Sequence, residues 1–92
     1  MNAPATAAPS LVMQMYLLEK YGPRLTTEQM GEVLGMTQGA ILTSISANRF
    51  PVPTYVEGKR RYADFRDVAV YFDQRRSEAL RVVARAAGSC IA

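Results

Sequence analysis

The chain contains no histidine and no tryptophan, and its 92 residues include a single cysteine, Cys90. Without histidine the usual general base and the commonest metal ligand are both missing, which speaks against a zinc centre. A lone thiol excludes an internal disulfide and suits a reducing, cytoplasmic setting. It also stands third from the end, one place short of a prenylation box. No run approaches the roughly 20 apolar residues of a membrane span. The sequence has no glycine-rich phosphate loop, no internal repeat and no carboxylate pair placed to separate two pKa values. Asp64 and Asp67 are close together, but helix capping accounts for both. The expectation is a protein that is not an enzyme, holds no metal or cofactor, and does not enter a membrane.

About half of the residues are apolar (49%), which argues against global disorder. The length fits one domain with a modest core, which self-association or ligand binding would help to stabilise. Residues 1–9, rich in Ala and Pro and without a positive start, read as a disordered lead rather than a secretory signal. The folded domain is expected over residues 10–87, followed by a flexible tail at 88–92.

Charge is scarce but unevenly placed. The formal net charge is +3, and nine of the eleven basic residues are arginine, whose planar fork suits phosphates and base edges. Arg49, Lys59, Arg60 and Arg61 face only Glu57 within residues 49–61, so the excess sits in one short window. Three adjacent like charges repel one another. Such a triplet is either solvated surface or the footprint of a polyanion.

The apolar spacing predicts a helix from Leu11, capped by Ser10 and stopped by Gly22-Pro23, with Leu11, Met15 and Leu18 on one stripe. It is apolar nearly all round and so must be buried on more than one side, in part by a second molecule. "LTTEQM" holds a capping box, Thr26 with Gln29, and a hydrophobic staple of Leu25 and Met30. The short helix that follows ends at Gly35. Thr37 caps the next one, roughly Gln38 to Ala47, with Ile41 and Ile45 inward and Asn48 left-handed at its end.

"TYV" and "RRYA", around Glu57-Gly58-Lys59, predict a hairpin. Asp64 then caps a long helix with Asp67 in its first turn. Val68, Tyr71 and Phe72 face the core, and Leu80 and Val83 carry an apolar stripe on toward Ala87, with Gly88 as the stop. This last helix outruns a core of such size, so its distal half frays or meets another molecule. Tyr55, Tyr62 and Phe65 read as core, and Met13, Met15, Met30 and Met36 as packing.

"MGEVLGMTQGAILTSIS" obeys the spacing of two helices crossing steeply over a short turn. Gly31 stands at the crossing and Gly35 at the turn, flanked by Met30, Leu34, Met36 and Ile41. This is helix-turn-helix spacing, in which the second helix enters the DNA major groove. From Leu25 to Phe72 the chain resembles the small winged helix-turn-helix proteins related to MerR DNA-binding domains. That group includes phage and mobile-element excisionases and AlpA-type regulators. The matching pieces are "LTTEQMGEVLGMTQGAI", "NRFPVPTYVEGKRRY" and "DFRDVAVYF". "LLEKYGPRLTTEQM" and "FDQRRSEA" are also similar to the pyocin-activator type of phage regulator.

The resemblance implies a mainly α fold with a small β-hairpin, a winged helix-turn-helix that binds double-stranded DNA. Gln38, Gly39, Leu42, Thr43 and Ser46 would meet the major groove. Arg49, Lys59, Arg60 and Arg61 would hold phosphates or the minor groove. Arg75 and Arg76 read first as a solvated helix face and second as further phosphate contacts. The second helix has no Lys or Arg, so base reading falls to Gln38 on adenine, the Thr43 methyl on thymine, and DNA shape. Ser44 stands where the family places an apolar residue.

An excisionase of this type is a recombination directionality factor that binds cooperatively beside an attachment site. It helps an integrase of the tyrosine recombinase class, and it can also regulate promoters. Head-to-tail association along DNA is the expected assembly. The alternatives are a phage-type transcriptional activator or repressor, and a protein-interaction adaptor of the antirepressor kind.

Overall fold

Thr26 begins the architecture, because it is both the last residue of a strand and the cap of a helix. The computed structural model describes residues 10–91, and the side chains of residues 10–86. The expected lead at 1–9 lies outside the described residues. In chain order the elements are α1 (Leu11–Tyr21), β1 (Arg24–Thr26), α2 (Thr27–Leu34), α3 (Gln38–Ser46), β2 (Tyr55–Glu57), β3 (Arg60–Asp64) and α4 (Phe65–Ile91). The protein is mainly helical with a small antiparallel sheet.

Each helix start is held by the residue type that the sequence places there. The Ser10 hydroxyl accepts from the Met13 N–H at 3.4 Å, and Thr37 Oγ1 accepts from the Ala40 N–H at 3.1 Å. The capping box at α2 is complete: the Gln29 N–H donates to Thr26 Oγ1 at 3.2 Å, and the Thr26 N–H donates to Gln29 Oε1 at 3.0 Å. α2 stops where Gly35 turns left-handed, at φ 75°. Asn48 takes the same region at φ 58°, just after α3.

The sheet has three strands in the order β1-β3-β2, where the sequence predicts only a hairpin. Leu25 pairs with Ala63 and Tyr55 with Tyr62, so β3 is central. β1 has three residues, too few for an alternation to register, and it exists because β3 supplies its hydrogen bonds. Leu25 and Ala63 point inward to a core shared with Leu17, Met30, Ile41, Val52, Val68 and Ala69.

Three expectations change. On α1 it is Leu17, with Met13 and Tyr21, that meets the core, whereas Leu11, Met15 and Leu18 are exposed. A helix apolar all round offers several faces, and the partner surface chooses between them. Tyr55 is exposed rather than core, because its strand lies at the sheet edge, while Tyr62 and Phe65 are half-buried. Finally, α4 runs through Gly88 to Ile91. A single glycine costs a helix only about 1 kcal/mol, and the preceding Arg-Ala-Ala run favours continuation. Among the described residues no helix is long and apolar enough to cross a membrane.

Two tight points fix how the elements join. A Cβ on Gly31 would stand 2.6 Å from the Met36 carbonyl oxygen, so only glycine lets α2 and the α2–α3 turn approach this closely. At the start of α4, Arg66 donates its backbone N–H to Asp64 Oδ1 at 2.8 Å. The Arg66 side chain reaches both Asp64 oxygens at 2.9 Å. These side-chain bonds, ahead of the backbone one and against partial burial, hold the Asp64 carboxyl below its ordinary 3.8.

Gly31→Ala is expected to destabilise the fold by about 1–3 kcal/mol through overpacking against backbone. Gly39→Ala, where nothing lies within 4 Å, is expected to stabilise it by about 0.5 kcal/mol. Urea denaturation of the two variants checks the opposite signs. A carboxyl with a lowered folded pKa contributes stability above its unfolded value, and that contribution disappears as pH falls through the folded one. Asp64→Asn should therefore flatten the acid limb of stability below about pH 4. A limb unchanged in acid titrations of the melting temperature would refute the linkage.

Candidate nucleic-acid interface

The hairpin and the two short helices enclose a cleft of about 460 Å³. Its walls are Thr26, Thr27 and Glu28 at the start of α2, Gln38 and Leu42 on α3, and Val56, Lys59, Arg60 and Arg61 on the hairpin. Five residues that the sequence singles out thus come together: Gln38, Leu42, Lys59, Arg60 and Arg61. Both helix starts present the positive end of a helix dipole. Glu28 is the one carboxylate in the lining, against three cations.

Strand alternation separates the cations by role. Arg61 shares the inner face of β3 with Ala63, is half-buried, and donates to Thr54 Oγ1 at 2.8 Å. Arg60 alternates to the other face, beside Tyr62, and Lys59 sits in the turn where Gly58 adopts φ 67°. Among the described residues Lys59 and Arg60 have no ion-pair partner, and both are exposed. No ion pair among the described residues offsets their mutual repulsion.

Glu57 does not relieve it, because Glu57 is engaged elsewhere. On the outer face of the sheet it forms an ion pair with Arg24, whose guanidinium lies 3.8 Å over the Tyr62 ring. Tyr55 completes the group, 6.0 Å from Tyr62 between ring centroids. Both partners of the ion pair are well exposed, so it contributes little alone, but together with the stacking it braces the hairpin against β1. This brace was not legible in the sequence, because it needs β1. The one local signal is the polar-apolar-polar order Arg24-Leu25-Thr26.

The remaining predicted residues divide. Gly39, Thr43 and Ser46 are exposed on α3 and lie outside the cleft lining, and together they form an uncharged face with Leu42. Ser44 is half-buried, as the inward Ile41 and Ile45 require. Arg49 is exposed just beyond α3. The Gln38 amide nitrogen donates to Thr27 Oγ1 at 2.8 Å, so pairing with adenine through both amide atoms would break that bond. That bond ties the start of α3 to the start of α2 and gives a partner to Thr27, the one buried polar side chain among the described residues.

Arg75 and Arg76 are on α4, away from the cleft. Arg75 pairs with Glu78 at 2.9 Å, and Arg76 borders a separate groove against α1. Among the described residues no cluster of His, Cys, Asp or Glu could hold a metal ion.

No family model, curated protein or solved structure matches the chain.

Gln38→Ala leaves the Thr27 hydroxyl without its partner and is expected to cost about 1 kcal/mol of stability. Gln38→Glu, which offers an acceptor where a donor stood, should restore less than half of that. Paired denaturation curves check both, and a neutral Gln38→Ala would show that the bond does not hold α3 in place.

Proposed function

We propose that the chain binds double-stranded DNA without catalysis, as a winged helix-turn-helix protein. The observation that carries this reading is the cleft between α3 and the hairpin, where Lys59, Arg60 and Arg61 outnumber a single carboxylate. A phosphate backbone entering there meets cations on one wall and two helix starts on the other. α3 then lies in the major groove with Gly39, Leu42, Thr43 and Ser46 toward the bases.

Gln38 acts in this reading as a positioning residue, its nitrogen on Thr27 and its oxygen left for a base or a water. Gly39 lets the α3 backbone come close to the DNA, and the Thr43 methyl suits a thymine. With no Lys or Arg on α3, selectivity leans on DNA shape and on adjacent protomers.

The biological role that fits such a module is an excisionase, a recombination directionality factor that organises a site for an integrase. Control of a promoter is the same act at another locus. The uncharged face of α3 favours a second reading, an adaptor that grips protein rather than DNA. A mobility shift with random duplex fragments at low salt separates the two.

Arg60→Ala combined with Arg61→Ala should weaken binding to all duplexes alike. Each phosphate that the variant no longer neutralises should reduce the slope of log affinity against log salt by about 0.9. A salt titration with an unchanged slope removes the hairpin from the interface. Gly39→Ala, expected to raise stability, should at the same time lower affinity.

A further inference from the structure

α3 offers the cleft only one side chain that can form a hydrogen bond. Of its two residues in the lining, Leu42 is apolar and Gln38 carries an amide. Gln38 is the first residue of the helix, directly after the Thr37 cap, and it is exposed. A helix inserted in the major groove meets base edges with its N-terminal residues. What the Gln38 amide can offer there is decided by its bond to Thr27.

A free glutamine amide has a donor and an acceptor, and together they fit the amino group and N7 of adenine. Thr27 removes half of that capacity. Its hydroxyl belongs to a buried side chain in the first turn of α2, and it accepts from Gln38 Nε2 at 2.8 Å. α2 is itself held by the Thr26–Gln29 capping box and by the close approach at Gly31, so the acceptor does not ride on a loop. Among the described residues nothing donates to Gln38 Oε1. The side chain therefore faces the cleft with one vacant function, an acceptor.

Duplex DNA offers a lone acceptor few partners. Phosphate oxygens accept, as the amide oxygen does, so the two cannot bond. In the major groove guanine shows only acceptors, and thymine shows an acceptor and a methyl group. The donors there are the exocyclic amino groups of adenine and cytosine. Lys59, Arg60 and Arg61, which donate, suit the phosphates that Gln38 does not.

We propose that Gln38 reads a base through its oxygen alone, selecting the amino group of adenine or cytosine, and that Thr27 is the positioning residue that sets this choice. The inference rests on the DNA-binding reading and deepens it. The two-atom adenine contact that the sequence suggests becomes a one-atom contact, indifferent to adenine N7 and open to cytosine. Removing the Thr27 hydroxyl frees Nε2, and adenine, which alone presents N7 beside its amino group, then gains over cytosine.

Binding-site selection with the native chain and with Gln38→Ala locates the contact, as the position whose preference Gln38→Ala loses. There the native chain should return adenine and cytosine, with guanine and thymine disfavoured about fivefold, the loss of one hydrogen bond. Nebularine in place of that adenine lacks the amino group and should weaken binding about fivefold. 7-Deazaadenine lacks only N7 and should change nothing. Thr27→Val should favour adenine over cytosine and make 7-deazaadenine costly, whereas Thr27→Ser should behave as the native chain. A general loss of stability would weaken binding without reordering the bases. Should Thr27→Val fail to fold, the base analogues on the native chain still decide.

Guanine or thymine at that position, an adenine preference that depends on N7, a folded Thr27→Val chain with the native preference, or no position that depends on Gln38 would each overturn the proposal and leave DNA binding standing. A chain that binds no duplex would sink the DNA-binding reading itself, and this inference with it.

Discussion

The double duty of Thr26 is the constraint on which the rest of this structure depends. As the last residue of β1 it pairs with Tyr62 on the central strand, and as N-cap it begins α2 with no residue between. The hairpin and the α2–α3 unit are thereby separated by a fixed backbone rather than a loop. Loops tolerate variable geometry and carry higher mobility. A strand end that is also a helix cap has neither freedom. Gly31 extends the constraint to α3, since the Met36 carbonyl can lie where a side chain would otherwise stand. The Gln38–Thr27 bond closes the triangle. The width of the cleft follows from these three local arrangements.

Within that frame the electrostatics have a simple origin. Lys59, Arg60 and Arg61 are adjacent in sequence, but the pleat of β3 turns Arg60 and Arg61 to opposite faces. The carboxylate nearest in sequence, Glu57, stands by the same pleat on the outer face, where it is paired with Arg24. Had Arg24 been neutral, Glu57 would be the natural partner of Arg60 across the hairpin, where the two are register neighbours. Arg24 thus raises the positive potential of a site it does not touch. Exposed ion pairs of this kind add little to stability, and this one matters through where it places the acid.

What the sequence made legible was the local chemistry. Ser10, Thr26, Gln29, Gly35, Thr37 and Asn48 each satisfy a need within four residues of themselves, and the structure uses all six as read. The features that were not legible share the opposite property. β1 is a strand only because β3 lies beside it. The inward face of α1 is chosen by what it packs on, since Leu11, Met15 and Leu18 are as apolar as Leu17. The bond from Gln38 to Thr27, eleven residues away, exists only in the fold. Gly88 failed as a stop because a glycine ends a helix only when the chain turns, and nothing after it compels a turn. Of the cleft, the cations and two α3 residues were visible in the sequence, while the α2 wall and the outer brace required tertiary structure.

The two surfaces that the small core leaves open are mechanically joined. β3 passes into α4 without a connecting residue, and Asp64 with Arg66 rigidifies that junction. The hairpin at one end of β3 and the distal stripe of α4 are therefore parts of one stiff unit rather than two tethered domains. Any contact that fixes the direction of α4 also fixes the direction in which Lys59, Arg60 and Arg61 are presented. A helix rises about 1.5 Å per residue, so the 27 residues of α4 act as an arm of about 40 Å. A few degrees of change at the Asp64 junction would move the far end by several ångströms. A capping carboxylate held by a bidentate arginine is the chemistry that resists such a change, which is why this exposed cluster matters more to geometry than to stability.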